Sequence, residues 1–268
     1  MALHQIPGTD RSLDFVAAAK TYVGKSLRAN GIAGYEWETL SAAIALIESG
    51  GLTEFVDVGA NIGIYSLVSR AIFGERLAVH AFEPLPKLST IIRQLADVNR
   101  LDINVHEIAL SDRTGEATFY VSAKADTSNS LNPRFRPSKE QITVKVETLD
   151  DFAARTGVAS KLFKIDTEST EPAVLRGGLG YIERHRPWII CEILHNRTEA
   201  KVSSIMKPLG YSFHHIDGAD LHQHDVIVGD ASNRHRDWLL APEPPSPAFL
   251  SAYGKWLDAG MSTINFIE

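Results

Sequence analysis

Cysteine is almost missing: Cys191 is the only one in 268 residues. No internal disulfide can form, and its place in the apolar run "PWIICEIL" suits packing in a reducing compartment better than nucleophilic chemistry. Long apolar runs are missing too. No stretch approaches the roughly 18 residues of a membrane span, and "MALHQIPGTDRSLDF" lacks the basic-then-apolar pattern of a secretory leader. No membrane partner and a cytoplasmic location are therefore expected. Positive charge is not in excess: 27 Lys and Arg stand against 33 Asp and Glu, a net charge of -6. The chain has no field to attract a polyphosphate backbone, so nucleic acid is not an expected partner. There is no internal repeat and no low-complexity tract.

What remains is an ordinary globular composition, 44% hydrophobic and 22% charged, long enough for one large core with small additions. The expected divisions are an N-terminal helical segment (1–50), a central domain (51–241) and a C-terminal extension (242–268). In the first segment Leu13, Val16, Val23 and Leu27 form one helical face, and Trp37, Leu40, Ile44 and Ile47 a second. From Glu54 strands and helices alternate: "EFVDV", a helix over 62–73, "LAVHAF", a helix over 85–99, and "INVHEIA". This is the pattern of βαβ units in a parallel sheet covered on both faces. Two strand-like runs, "EATFYVS" and "ITVKVETL", then read as an inserted hairpin with a long tip. Alternation resumes with "KLFKI", a helix over 172–185, "PWIICEIL", a helix around 197–207, and a closing antiparallel pair "YSFHHI" and "DVIVG". The prolines from Pro242 to Pro247 make a stiff spacer. Beyond them Phe249, Tyr253 and Trp256 suggest a docked segment.

The stretch "VDVGANIGIYS" reads as strand, tight turn, helix, a place where a ligand can rest against backbone N–H groups. A dinucleotide fingerprint needs G-x-G-x-x-G. After Gly59 those places hold Asn61 and Ile64, which counts against NAD or FAD. The turn from Asp57 through Gly59 and Asn61 to Gly63 suits a smaller ligand with an amino-acid end. Glu83, at the end of the next strand, can take two ribose hydroxyls. Asp112 in "ALSD" can accept from an exocyclic amine. Amino-acid end, ribose and adenine are the parts of S-adenosylmethionine. Each residue also has a plainer use: the glycines permit a turn, Asn61 caps a helix, and Asp112 starts the "SDRTG" turn.

The segments "FVDVGANIGIYS", "FEP", "ALSD", "VKVETLDDF", "FKIDTESTEPAVLRGG" and "PWIICEI" resemble, in order and spacing, the FkbM-type methyltransferases. The resemblance covers roughly residues 54–230. It implies an α/β class I methyltransferase (Rossmann-like) doubly wound sheet of order 3-2-1-4-5-7-6, with S-adenosylmethionine as cofactor. It also implies methyl transfer mostly to hydroxyls of sugars or polyketide-like natural products. Asp57, Gly59, Asn61, Gly63, Glu83 and Asp112 fall on the family's cofactor-binding positions. There is one departure: the family usually has glycine after the glutamate of its "KIDVEG" segment, and here the residue is Ser169. That puts the shape of the acceptor pocket in question more than the cofactor site.

An alcohol acceptor must lose a proton, so a base or a metal becomes useful. Asp166 ends the fourth strand at the crevice where ligands bind in such sheets, and Glu168 and Glu171 follow it. Glu192 and His195 occupy the end of the fifth strand. His195 is the expected base, Asp166 the group that orients it or the acceptor, and Glu168 a further catalytic candidate; Glu171 is assigned to the acceptor. Carboxylates also favour helix starts for purely structural reasons, and His195 can be a solvated loop residue. A divalent metal on these groups is the less favoured reading, because spacing fixes no coordination geometry. Arg134 and Arg136 at the hairpin tip are expected to close over an acceptor bearing a carboxylate or phosphate. The leading function is O-methyl transfer to a small hydroxylated acceptor. A nicotinamide oxidoreductase and a non-catalytic S-adenosylmethionine-binding protein are the alternatives. Oligomeric state stays open, a homodimer being one option.

Overall fold

A computed structural model describes residues 3–125, 127–218 and 221–264. The chain opens with a short antiparallel ribbon, β1 (Leu3–Gln5) and β2 (Ser12–Asp14), followed by α1 (Tyr22–Asn30) and α2 (Trp37–Gly50). The helical face expected from Leu13 and Val16 does not form: Leu13 lies in β2 and Val16 in a single 3₁₀ turn. Side chains take the backbone bonds that a helix would have used. Asp14 accepts the N–H of Val16 at 2.8 Å, and Asn99 clamps both the N–H and the carbonyl of Asp14 at 2.8 and 2.9 Å.

From there the order is β3 (Glu54–Val58), α3 (Ile64–Phe73), β4 (Ala78–Phe82), α4 (Pro86–Asn99), β5 (Asn104–His106) and β6 (Ala109–Leu110). The hairpin β7 (Gly115–Ser122) and β8 (Ser138–Glu147) comes next, then α5 (Leu149–Thr156), β9 (Leu162–Ile165), α6 (Glu171–Gly177) and α7 (Leu179–His185). The chain continues through β10 (Trp188–Glu192), α8 (Glu199–Met206), β11 (Ser212–Ile216), β12 (Leu221–His224), β13 (Asp237–Ala241) and α9 (Pro247–Ile264).

Eight strands form the central sheet, in the order β12-β11-β13-β10-β9-β3-β4-β5. Pairing is parallel from β5 to β10 and antiparallel beyond it. Apart from the added edge strand β12, this is the expected order 3-2-1-4-5-7-6. Helices α2, α3, α4 and α9 supply the apolar layer on one face, and α5 to α8 the layer on the other. Burial on both faces explains why the inner strands read as near-continuous apolar runs.

Two further expectations need correction. "DVIVG" is irregular, and β11 pairs instead with β12 and β13. The reason is burial: every residue of "DWLLA" in β13 is buried, as a strand between two others requires, whereas Val226 and Val228 face solvent. The helix expected over 172–185 is broken at Gly178 into α6 and α7. Neighbours press too close for side chains there: a Cβ on Gly177 would lie 1.9 Å from the Ser111 carbonyl, and one on Gly178 would lie 2.7 Å from Leu149.

The C-terminal segment is docked, as Phe249, Tyr253 and Trp256 suggested. All three are buried, and α9 lies against α2. Trp37 donates through Nε1 to the Trp256 carbonyl at 2.8 Å, and Trp256 donates through Nε1 to Glu48 at 2.7 Å. Each buried aromatic contributes about 1.5–3 kcal/mol, so α9 is an integral brace on α2.

Candidate active site

Strand register assembles the site. Lys164 of β9 lies beside Asp57 of β3 and Ile190 of β10, on the sheet face covered by α2 and α3. Side chains alternate along strands, so two residues further on the same face carries Gly59, Asp166 and Glu192. Glu192 pairs in register with Asp237 of β13. Charged groups from four strands thus meet at one edge, where α2 begins with Glu36. Lys164 is buried, and its Nζ lies 2.6 Å from Asp166 Oδ2 and over the Tyr65 ring. Burial works against the charge of both partners, but their attraction prevails: Lys164 is raised and Asp166 lowered from ordinary values.

The β3–α3 turn sits against this row. Gly59 has φ +81° and donates its N–H to Phe82 O at 2.9 Å. Any side chain there would collide with β9, since a Cβ would lie 1.8 Å from the Asp166 carbonyl. Asn61 (φ +54°) donates its N–H to Glu83 Oε2, and Leu85 donates to Glu83 Oε1, each at 2.9 Å. Despite these two donors, burial pushes the Glu83 carboxyl up to about 8. Gly63, at φ +78°, starts α3 with no side-chain cap.

The β9–α6 loop turns through left-handed backbone at Glu168 (φ +55°) and Ser169 (φ +77°). Glu171 holds it: its Oε1 accepts from the N–H and hydroxyl of Thr167 at 3.1 Å and from the N–H of Ser169 at 3.0 Å. The hairpin tip is tied to the same loop by Ser130, which donates to Glu168 O at 2.7 Å. Burial and the neighbouring Asp166 raise Glu168 to about 9, and burial raises Glu171 to about 7.

Turn, loop, hairpin tip and the start of α2 enclose a cavity of about 330 Å³, the size of an ordinary small-ligand site. Its wall has two groups that meet where Gly59 touches Asp166. One contains Gly59, Asn61, Glu83 and the apolar Phe82, Ile108 and Leu110; the other contains Tyr35, Glu36, Asp166, Glu168, Glu192 and Arg236. Arg136 reaches the cavity from the hairpin tip.

Several residues singled out from sequence lie off the wall. Asp57 is buried and accepts the Ser66 hydroxyl at 2.7 Å, fixing α3 to β3. Gly63 shapes the turn, and Glu171 acts through the loop it holds. Asp112 lies outside, 3.3 Å from Arg176, and lines a second depression of about 340 Å³ with Ser111, Arg113 and Tyr120. Arg134 is exposed, off the cavity. His195 is also off the wall, with Nδ1 2.8 Å from the Gly229 carbonyl. Cys191 is fully buried in β10, and burial pushes its thiol well up, so it is a packing residue.

Sequence reasoning missed Lys164, Glu36, Tyr35 and Arg236. Only Lys164 left a signal: a lysine inside the otherwise apolar strand "LFKI", two residues before Asp166 and so on its face.

A parallel-centred α/β sheet in this order, with a glycine turn and an acidic strand end over one cavity, defines a class I methyltransferase fold. The chain matches the Methyltransferase FkbM domain over residues 57–225 and belongs to that family of S-adenosylmethionine-dependent methyltransferases. It is 30% identical over 150 residues to the 31-O-demethyl-FK506 methyltransferase FkbM of Streptomyces tacrolimicus. That match takes in 45% of this chain and 57% of the relative, so the chain spans little more than half of it. Among solved structures, methyltransferase FkbM from Methylobacillus flagellatus KT is 19% identical, with TM-score 0.46, over 70% of this chain and 42% of that one. Aeropyrum pernix fibrillarin with bound S-adenosyl-L-methionine is 12% identical, with TM-score 0.42, over 76% and 75%. No helix among the described residues is long and apolar enough to cross a membrane.

Proposed function

We propose that the protein methylates a hydroxyl of a small sugar-like or polyketide-like acceptor. The observation that carries this is a single cavity joining the Gly59–Asn61–Glu83 group to the carboxylates Asp166, Glu168 and Glu192. S-adenosylmethionine supplies an electrophilic methyl when bound, so an oxygen nucleophile needs only alignment and the loss of its proton. Glu83 takes the ribose hydroxyls, and the Gly59–Asn61 turn faces the amino-acid end. With Asp112 engaged by Arg176, the adenine falls to the apolar wall of Phe82, Ile108 and Leu110.

Proton removal passes from His195 to Glu168, which faces the cavity; burial raises it to about 9, so it takes the acceptor's proton only in its ionised form and turnover should climb as pH rises toward 9. Lys164 keeps Asp166 ionised beside it. Residues 51–241 form the catalytic unit, the segment ahead of it adds a wall through Tyr35 and Glu36, and α9 braces α2. A second reading has one specific support: oxygens of Asp166, Glu168 and Glu192 lie within 4.8 Å of one another, an oxygen-rich set that suits magnesium.

Mass spectrometry of products from hydroxylated acceptors with methyl-labelled cofactor tests the proposal; methyl groups found only on nitrogen, carbon or sulfur would refute it. With an acceptor in hand, Glu168→Gln should lower turnover by about 10²–10⁴ while S-adenosylhomocysteine still binds, and His195→Ala should do far less. The reverse ranking restores His195. Loss of turnover on chelation, restored by magnesium, selects the second reading.

A further inference from the structure

Three residues of this second wall group, Tyr35, Glu36 and Arg236, lie outside the span matched by the family. Glu36 comes from the turn that starts α2 and leaves 23% of its side chain exposed. Its Oε2 accepts the Tyr65 hydroxyl at 3.0 Å, and its Oε1 lies 3.6 Å from Arg236. The same guanidinium reaches Glu192 Oε1 at 2.7 Å. One cation therefore serves two carboxylates.

Lys164 is already bound to Asp166, beneath the wall. Glu36, Asp166, Glu168 and Glu192 thus face the cavity against two committed cations. Glu192 is only 3% exposed; no N–H or hydroxyl among the described residues donates to its Oε2, and its carboxyl hydrogen-bonds to that of Asp166. A buried acceptor oxygen left open is costly unless something donates to it. Arg136, stacked beside Phe135 on the hairpin tip, is the remaining cation on the wall among the described residues. An acidic acceptor would have to lose its water beside four carboxyl groups, of which burial and the charge of Asp166 already hold Glu168 and Glu192 above the usual carboxylate range. A donor-bearing one would find oxygens waiting.

We propose that this end of the cavity is an acceptor subsite for a neutral or amine-bearing polyol, and that Glu36 selects such acceptors against acids. This replaces the carboxylate- or phosphate-bearing acceptor expected from Arg134 and Arg136. It rests on the placement of the cofactor along the Gly59–Glu83 side. It also makes acceptor choice a property of the segment ahead of the family domain, because Glu36 and Tyr35 come from there.

The test uses the full chain saturated with S-adenosylhomocysteine, with EDTA present to keep divalent cations out. Glucosamine, glucose and glucuronate are titrated in turn and followed by ligand-observed NMR. Glucosamine should bind at least about tenfold more tightly than glucuronate, with glucose between them. Glu36→Gln keeps an acceptor for Tyr65 and should reduce that ratio to about threefold or less, with S-adenosylhomocysteine affinity unchanged. If that variant does not fold, Glu192→Gln removes another of the four carboxyl groups and should lower the ratio in the same way. Glucuronate binding as tightly as glucosamine, no binding by any of the three, or a ratio untouched by both substitutions overturns the proposal. Glucosamine displacing S-adenosylhomocysteine, instead of binding beside it, marks failure of the cofactor placement underneath.

Discussion

Ser169→Gly should make the protein more stable. Ser169 stands where the resembling family usually has glycine, and its backbone is left-handed at φ +77°. That conformation costs a residue with a Cβ roughly 1–2 kcal/mol. Its hydroxyl oxygen is buried without a hydrogen-bond partner, which adds to the cost. Glycine removes both terms but adds freedom to the unfolded chain, returning about 0.4–1 kcal/mol. The net expectation is a gain of about 1 kcal/mol, or roughly 2–4 °C in melting temperature for a chain of this size. Urea denaturation followed by fluorescence gives the number, and an unchanged slope with a higher midpoint identifies a stability effect. Ser169→Ala separates the two terms, because it removes the hydroxyl and keeps the left-handed strain; its gain should be the smaller. Glu171 still holds the N–H at position 169 and both donors of Thr167, so Glu168 stays presented to the cavity. A lower midpoint for Ser169→Gly than for the parent would refute the reasoning and mean that the serine holds the loop in a way its contacts do not reveal.

Glu83→Ala should weaken S-adenosylhomocysteine by about 1.5–3 kcal/mol in calorimetric titration, and should also cost stability because the N–H groups of Asn61 and Leu85 lose their acceptors. Lys164→Met should destabilise by about 3–5 kcal/mol near neutral pH, since Asp166 is left as an uncompensated buried charge. That loss should shrink as the pH falls toward 5, where Asp166, freed of its cation, takes up a proton. The ligand-free protein itself should lose stability as pH rises from 7 to 9. Glu83 and Glu168 titrate near 8 and 9 in the folded chain, well above the ordinary carboxyl value. The folded state therefore holds protons that the unfolded state has released, and stability drains until both groups ionise, by an amount on the order of 2–4 kcal/mol. Urea midpoints at pH 7 and 9 measure it; Glu168→Gln should flatten the slope, and a rising midpoint would contradict the assignment.

What the chain order alone determined is local or periodic. Gly59, Asn61 and Glu83 could be picked out because a strand, a turn and the next strand end lie within thirty residues, and short spacing constrains geometry strongly. The parallel centre of the sheet followed from apolar runs alternating with helical ones. Strand partners beyond β10 were not legible, since "DVIVG" and "DWLLA" are both short apolar runs and only burial between two neighbours chose the second. His195, Arg134 and Asp112 were placed near the site by position at strand ends or loop tips, but spacing does not say which way a loop points. Arg136, two residues from Arg134, does reach the cavity. Tertiary structure alone decided the acceptor end. Strand register put Lys164 beside Asp57 and, two residues on, Asp166 between Gly59 and Glu192. Packing of α2 and β13 then brought Glu36 to Arg236 across two hundred residues of sequence, a contact that no local pattern encodes because it forms only when both sheet faces have closed.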